Sequence, residues 1–334
     1  MAVTLKEVAA LAGVSRSAVS RTFTDGASVS AKTREKVERA SRKLGYQPNL
    51  IARSLSTNRT KLIGLIANNF HNPIFMEVFD LFTKALQKKG YRPLIVNLTD
   101  ESDPEVSVQL LKQYNVDGVI IATSTLSIEF SKAFSDAKLP VVHAFGRFQK
   151  GVNVPVVGVD NIEAGRLAAQ TLVDCGYKNI GFLGGPIDAS STQDRAVGFL
   201  NQMEKLKVKP AIVKYARAYA YKAGCEALAE IFKEAEVDAL FCGDDLLCMG
   251  AIDEAKKMGK KIPDELGFIG FNNMEMAAWA AYDLTTISQP VGDIIKSSID
   301  LIVAMLDEPD RSTEMRLFSC SIVERGTLAQ QSQS

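Results

Sequence analysis

From residue 62 onward, short apolar runs alternate with longer stretches of helical period, and no other feature constrains the fold as much. The runs are LIGLIA from Leu62, PLIVNL from Pro93, GVIIA from Gly118, PVVHAF from Pro140, VVGVD from Val156, NIGFLG from Asn179, ALFCG from Ala239 and LGFIGF from Leu266. Helical stretches fall between them, for example at 163–175, 195–206, 221–235 and 246–258. Parallel strands need a crossover of a dozen or more residues, usually a helix, so the alternation predicts parallel sheets wrapped by helices. Two sheets fit better than one, the first series running to about Asp160 and the second from Asn161 to about Ser288. At 334 residues and 46% hydrophobic, the chain can bury a sizeable core and form more than one domain.

Ligands of open α/β sheets bind beyond the carboxyl ends of the strands, which places a pocket in the cleft between the two lobes. In the first lobe the candidates are Asn69, Phe70 and Phe75 in ANNFHNPIF, Ser124 after GVIIAT, Phe145 and Arg147 in HAFGR, and Asp160 in GVDN. The second lobe adds Ser191, Gln193 and Arg195 in DASSTQDRAVGF, then Tyr219, Asp244, Asn272 and Gln289. Aromatic faces beside polar donors and acceptors suit a hydroxylated or carboxylated metabolite, with Arg195 as a forked donor. Phe70 and Phe75 also suit a core, and Asp244 suits a helix cap.

Several chemistries are disfavoured. GFLGGP around Gly181 does not spell GxGxxG, no Walker sequence occurs, GxSxG is absent, and His143 stands beside no Ser or Cys motif. An enzyme is not expected. Five scattered cysteines without a CxxC pair, and two histidines, predict reduced structural thiols and neither a metal nor a cofactor. No apolar run of about 18 residues or signal-peptide pattern is present, so a cytoplasmic, nucleoid-associated protein without membrane contact is expected.

The charge is uneven. Residues 1–61 carry 12 Lys/Arg against 4 Asp/Glu and the remainder 27 against 35, a basic head on an acidic body. That is the electrostatic footprint of one end meeting a polyanion. The head reads as short helices: Thr4 with Glu7 forms a capping box, Leu5, Val8, Ala9 and Ala12 recur at helical spacing, and Gly13 ends the first helix. Ser15 caps a second helix that shows Arg16, Ser17, Ser20 and Arg21 to solvent, and Ser30 caps a third. An exposed helix carrying Arg and Ser fits the DNA major groove. Residues 49–56 then form a weak helix leading into a basic, polar segment that looks like a hinge.

The order VTLKEVAALAGVSRSAVSRTF, VSAKTREKVERASRKLGYQPN and IARSL resembles the LacI/GalR family of bacterial transcription repressors, and the resemblance continues to about Leu328. It implies an N-terminal all-α helix-turn-helix headpiece plus an α/β core of the periplasmic-binding-protein type I kind, built of two doubly wound parallel-sheet lobes. The domains expected are a headpiece at 1–47, a hinge at 48–61, and an effector and dimerisation domain at 62–328 followed by a polar tail. Lobe one would take about 62–160 and 291–320, and lobe two about 161–288 with the C-terminal end. By position, the resemblance makes Arg16 and Ser17 base readers and Arg21 a base or phosphate contact. Thr4, Ser15, Ser30, Thr33 and Tyr46 would be further DNA contacts. Asn49, Ala52 and Arg53 would line the minor groove, with Leu55 as the wedge that kinks it.

The function expected is a regulator, acting as a homodimer on a pseudo-palindromic operator, whose DNA affinity follows a small polar metabolite such as a sugar or sugar acid. A regulator with a protein co-regulator, or with no small-molecule effector, remains open. So does the effector's identity, because GFNNMEM carries Asn272 and Asn273 where many relatives carry an acid. A transport-type solute-binding protein would suit the body alone but not the DNA-binding head.

Overall fold

The protein is described here by a computed structural model covering residues 3–24, 26–47, 54, 59–68, 70–98, 103–123, 128–148, 150–309 and 311–329. The chain forms two compact units, Met1–Lys61 and Leu62–Ser334.

The first unit is held by helix ends as much as by a core. Thr4 caps α1 (Leu5–Ala12): its backbone N–H donates to the Glu7 carboxylate at 2.7 Å, and its hydroxyl accepts the Glu7 N–H at 3.4 Å. Gly13, at φ 64°, closes the helix in the left-handed conformation that costs glycine least. Ser15 caps α2 (Arg16–Thr22) and Ser30 caps α3 (Ala31–Leu44). Val8, Ala9, Ala12, Val19, Val37 and Ala40 are buried between the helices, with Val14, Phe23, Leu44 and Tyr46 packed around them. The Arg34 guanidinium donates to the Thr22 carbonyl at 2.9 Å, tying α3 to the end of α2.

Among the described residues, the second unit contains two six-stranded sheets. The first is built from β1 (Leu62–Ala67), β2 (Arg92–Asn97), β3 (Gly118–Ala122), β4 (Val141–Ala144), β5 (Val156–Val159) and β11 (Met315–Phe318), in the order β11-β5-β4-β3-β1-β2, all parallel. The second is built from β6 (Ile180–Gly184), β7 (Ile212–Tyr215), β8 (Ala239–Cys242), β9 (Gly267–Phe271), β10 (Thr286–Ser288) and β12 (Ser321–Val323). Its order is β12-β10-β9-β8-β6-β7, with only β12 antiparallel. Central strands such as β3 and β9 are buried along their whole length, as expected of parallel strands covered on both faces.

Helices α4 (Ile74–Lys88), α5 (Pro104–Gln113), α6 (Ile128–Asp136) and α11 (Val291–Asp307) accompany the first sheet. Helices α7 (Asn161–Asp174), α8 (Ser190–Lys205), α9 (Tyr221–Glu234) and α10 (Asp245–Lys257) accompany the second. The chain therefore passes between the sheets three times, after β5, after β10 and between β11 and β12. Phe182, Phe199 and Phe241 meet in the second lobe with ring centroids 5.4–6.2 Å apart. Two helix pairs there touch backbone to backbone. A Cβ on Gly165 of α7 would collide with the Arg195 carbonyl of α8, and one on Gly198 of α8 with the Ile162 carbonyl of α7. Gly224 and Gly250 stand in the same reciprocal relation to Leu247 and Tyr221, across α9 and α10. No helix among the described residues is long and apolar enough to cross a membrane.

Candidate functional site

In the first unit, α2 turns Val19 and Thr22 inward and leaves Arg16, Ser17, Ser20 and Arg21 exposed on one surface. Ser15 accepts the Ala18 N–H at 3.2 Å, and its hydroxyl lies 2.9 Å from that of Ser17, fixing the start of this helix. Ser30 accepts the Thr33 N–H and donates to the Thr33 hydroxyl at 2.9 Å, and Tyr46 lies half-buried against Phe23 at 5.9 Å. An exposed Arg/Ser face on a capped helix, with exposed Lys32, Lys36, Arg39, Arg42 and Lys43 on α3, presents charge and hydrogen bonds to a polyanion. The hinge candidates Asn49, Ala52, Arg53 and Leu55 lie outside the described residues.

In the second unit, a cavity of about 70 Å³ opens between the carboxyl ends of the two sheets. Of the sequence candidates, Phe75, Phe145, Ser191, Arg195, Tyr219, Asp244, Asn272 and Gln289 line it. Asn72, Ile74, Val78, Thr123, Val159 and Asn161 line it too and were missed. All six sit within three residues of a candidate. Phe145 reaches the cavity from a left-handed backbone, φ 63°, just after β4.

Four candidates do other work. Phe70 stacks on Phe79 at 4.8 Å and packs against the first lobe's core. Asp160 caps α7 by accepting the Glu163 N–H at 2.9 Å. Arg147 and Gln193 bind each other across the mouth of the cleft: the Arg147 guanidinium donates to both Asp194 carboxylate oxygens, at 2.9 and 2.6 Å, to Gln193 Oε1 at 3.0 Å and to the Ser190 carbonyl at 2.8 Å. The Arg147 contacts clasp lobe to lobe, and Phe70, Arg147, Asp160 and Gln193 are not among the residues that line the cavity. Asn69 and Ser124 lie outside the described residues.

A net of amides crosses the cleft floor. Asp244 Oδ2 accepts from the side chains of Asn72 at 2.9 Å and Asn272 at 2.8 Å, joining the lobes, and Gln289 donates to Asn272 Oδ1 at 2.7 Å. Burial pushes the Asp244 carboxyl above its usual range, and the amide and backbone donors pull it back. Directly beneath, burial pushes Asp245 up to about 7, although it accepts the Thr286 hydroxyl at 2.6 Å and the Met274 N–H at 2.8 Å. These two bonds hold the Asn272–Asn273 turn, where both residues have positive φ. Behind the first-lobe wall, burial lowers His143 to about 4, keeping it neutral between the Thr123 carbonyl at 2.8 Å and the Ser131 hydroxyl at 2.9 Å. No group of three or more metal-ligating side chains gathers among the described residues.

A capped helix-turn-helix with an exposed basic face, joined in one chain to a two-lobed domain with a polar cleft, defines a DNA-binding transcription regulator with a sensor domain. Residues 4–49 match the family of bacterial regulatory proteins, lacI family, and residues 60–308 match periplasmic binding proteins and sugar binding domain of LacI family. The chain belongs to the LacI family of bacterial regulatory proteins. It is 31% identical to a ribose operon repressor of Halalkalibacterium halodurans, over 97% of this chain and 96% of that one. It is 28% identical to the HTH-type transcriptional repressor CytR of Escherichia coli, over 98% and 96%. Its fold matches the lac repressor dimer bound to operator and the anti-inducer ONPF, with a TM-score of 0.88, 24% identity and coverage of 98% and 99%. The chain is thus a DNA-binding regulator of transcription and not an enzyme.

Proposed function

We propose that the chain is a cytoplasmic repressor that binds a pseudo-palindromic operator as a homodimer and exchanges DNA affinity for occupancy of the cleft by a small polar metabolite. Arg16, Ser17 and Arg21 read the major groove, and Asn49, Ala52, Arg53 and Leu55 act in the minor groove. Names of relatives that repress sucrose and ribose operons support this reading. The observation that carries it is the cavity between the lobes, walled by Phe75 and Phe145 and floored by the Asn72–Asp244–Asn272 bridge. At roughly 10–15 Å³ per water centre, it holds about five waters, equivalent to roughly 150 Å³ of liquid. That is the size of a monosaccharide or sugar acid and less than a disaccharide.

A guest that touches both lobes favours one lobe angle over another, and a coupling of about 1–3 kcal/mol between cleft and DNA follows typical allosteric systems. The test is a gel shift on an operator selected from random DNA, repeated with metabolites that raise the melting temperature. A cleft ligand should change operator affinity by about 5- to 150-fold. Operator binding that ignores every ligand able to stabilise the protein would sink the reading.

A further inference from the structure

The two lobes hold each other at the rim of the cleft in a way unlike their contact at its floor. Arg147 lies in the segment that joins β4 to β5 in the first lobe, and it turns its guanidinium onto the first turns of α8 in the second. Nε and Nη2 grip the two Asp194 carboxylate oxygens at 2.9 and 2.6 Å, Nη1 donates to Gln193 Oε1, and Nη2 also donates to the Ser190 carbonyl. Paired N–H donors on one carboxylate are the geometry in which arginine binds most directionally. Phe145, two residues before Arg147, and Ser191, three before Asp194, line the cavity, so the grip spans its mouth.

Both anchors are stiff. Phe145 holds a left-handed backbone at φ 63°, and Gly146 packs so close to the His143 ring that a Cβ there would stand 2.5 Å from it, which fixes the direction in which the chain leaves β4. On the other side, α8 is locked to α7 through Gly165 and Gly198. The charges themselves are not locked away. Their side chains are 40% and 22% exposed, so water and salt compete for the pair. At the floor, Asn72 and Asp244 join the lobes while only 2% and 3% exposed. The lobes are thus joined by a dry contact below and a wet one at the rim, and the wet one can be broken and remade at little cost.

We propose that the Arg147–Asp194 grip is a latch, which holds the mouth of the cleft shut by contacts of the protein's own, independent of any guest. Its meaning for regulation rests on the reading of the cleft as an effector site. Entry is then limited to molecules whose latch is open, and the latch sets how fast the regulator responds.

The test is hydrogen exchange, read by mass spectrometry on the full chain with no ligand added. Its reporters are floor amides: the Ile74 N–H, which donates to Asn72 Oδ1, and the Leu246 and Leu247 N–H groups, which donate to Asp244 Oδ1. These amides reach water when the lobes part, so their exchange follows the open population. Arg147→Gln and Asp194→Asn should each speed it about 3- to 10-fold, the scale of a half-exposed bidentate pair. The double variant should go no further than either single one, because both remove one interaction. Exchanging the charges, Arg147→Asp with Asp194→Arg, should bring the rate back toward wild type. Raising salt from about 0.05 to about 0.5 M should speed the same amides in the wild type and not in Arg147→Gln, and the wild-type half of that comparison needs no variant. Floor amides that keep the wild-type rate in both single variants overturn the latch. So do additive effects in the double variant, or a wild-type floor that ignores salt. Operator affinity of the same variants keeps the two readings apart: faster floor exchange with unchanged operator binding supports the latch and counts against the coupling of lobe angle to DNA.

Discussion

The headpiece and the two-lobed body are stabilised in different ways. The body buries whole aromatic side chains, Phe82, Phe134, Phe182, Phe199, Phe241, Phe268 and Phe271 among them, and keeps its polar cleft as a defect in a large apolar interior. Among the described residues, the hydrophobic side chains the headpiece buries are all valines and alanines, and it fixes its helices with Thr4, Ser15 and Ser30 caps, Gly13 and Gly45 ends and the Arg34–Thr22 bond. A small unit with so few buried carbons sits close to its unfolding threshold. The DNA-reading surface thus rests on a marginal scaffold, and the cleft on a rigid one.

The comparison can be broken most forcefully in the body. Phe182→Ala, which leaves a hole among Phe199, Phe241 and Tyr215, should cost about 3–5 kcal/mol in the main calorimetric transition and leave the headpiece transition in place. Next comes pH. The Asp245 carboxyl, raised to about 7 from 3.8, contributes stability that is fully present below pH 3.8 and lost as pH rises to 7. Denaturant unfolding of Asp245→Asn against the wild type should therefore move in favour of the variant by up to about 4 kcal/mol from pH 4 to pH 7, and a pH-independent difference would remove Asp245 from the account.

In the headpiece, Val37→Ala should cost about 2 kcal/mol. That is enough to unfold a sizeable share of so small a unit, so operator affinity should fall while the body's melting temperature stays put. Thr4→Ala should cost about 1 kcal/mol through the lost capping box. Circular dichroism of the first transition would register it, and a shift in the body's transition instead would contradict the division of the two regions.

Much of this contrast was legible before any coordinates. Caps at Thr4, Ser15 and Ser30 are local, three-residue events, so the three headpiece helices and their ends were readable from sequence. Strands buried on both faces, such as GVIIA and LGFIGF, announce themselves as apolar runs. The strands that escaped are β7, β10, β11 and β12, three or four residues long; β7, β11 and β12 are partly exposed sheet edges and β10 lies buried beside one, and TIS, MRLF and SIV carry too little pattern. The cleft was found through position after strands, but that rule cannot tell a side chain aimed inward from one that caps a helix, as Asp160 does. Nor can it foresee that Arg147 meets Asp194 across the mouth, because the partner lies on the other lobe. Asn72 and Asn161 were missed for a related reason: their amides matter through Asp244 and Arg195, which only the folded chain brings near.

The reciprocal glycines of the second lobe limit where this molecule can bend. With Gly165 and Gly198 letting α7 and α8 touch through their main chains, and Gly224 and Gly250 doing the same for α9 and α10, no layer of side chains remains to re-pack as one helix slides past its neighbour. Shear inside the lobe would drive Cα atoms into carbonyl oxygens, so the lobe is suited to travel as one piece. Rotation between lobes must then be absorbed by the three strand-to-strand and strand-to-helix crossings after β5, after β10 and between β11 and β12. Arg195 rides on the same helix that carries Gly198, so whatever seizes its guanidinium pulls on a lever and not on a loop.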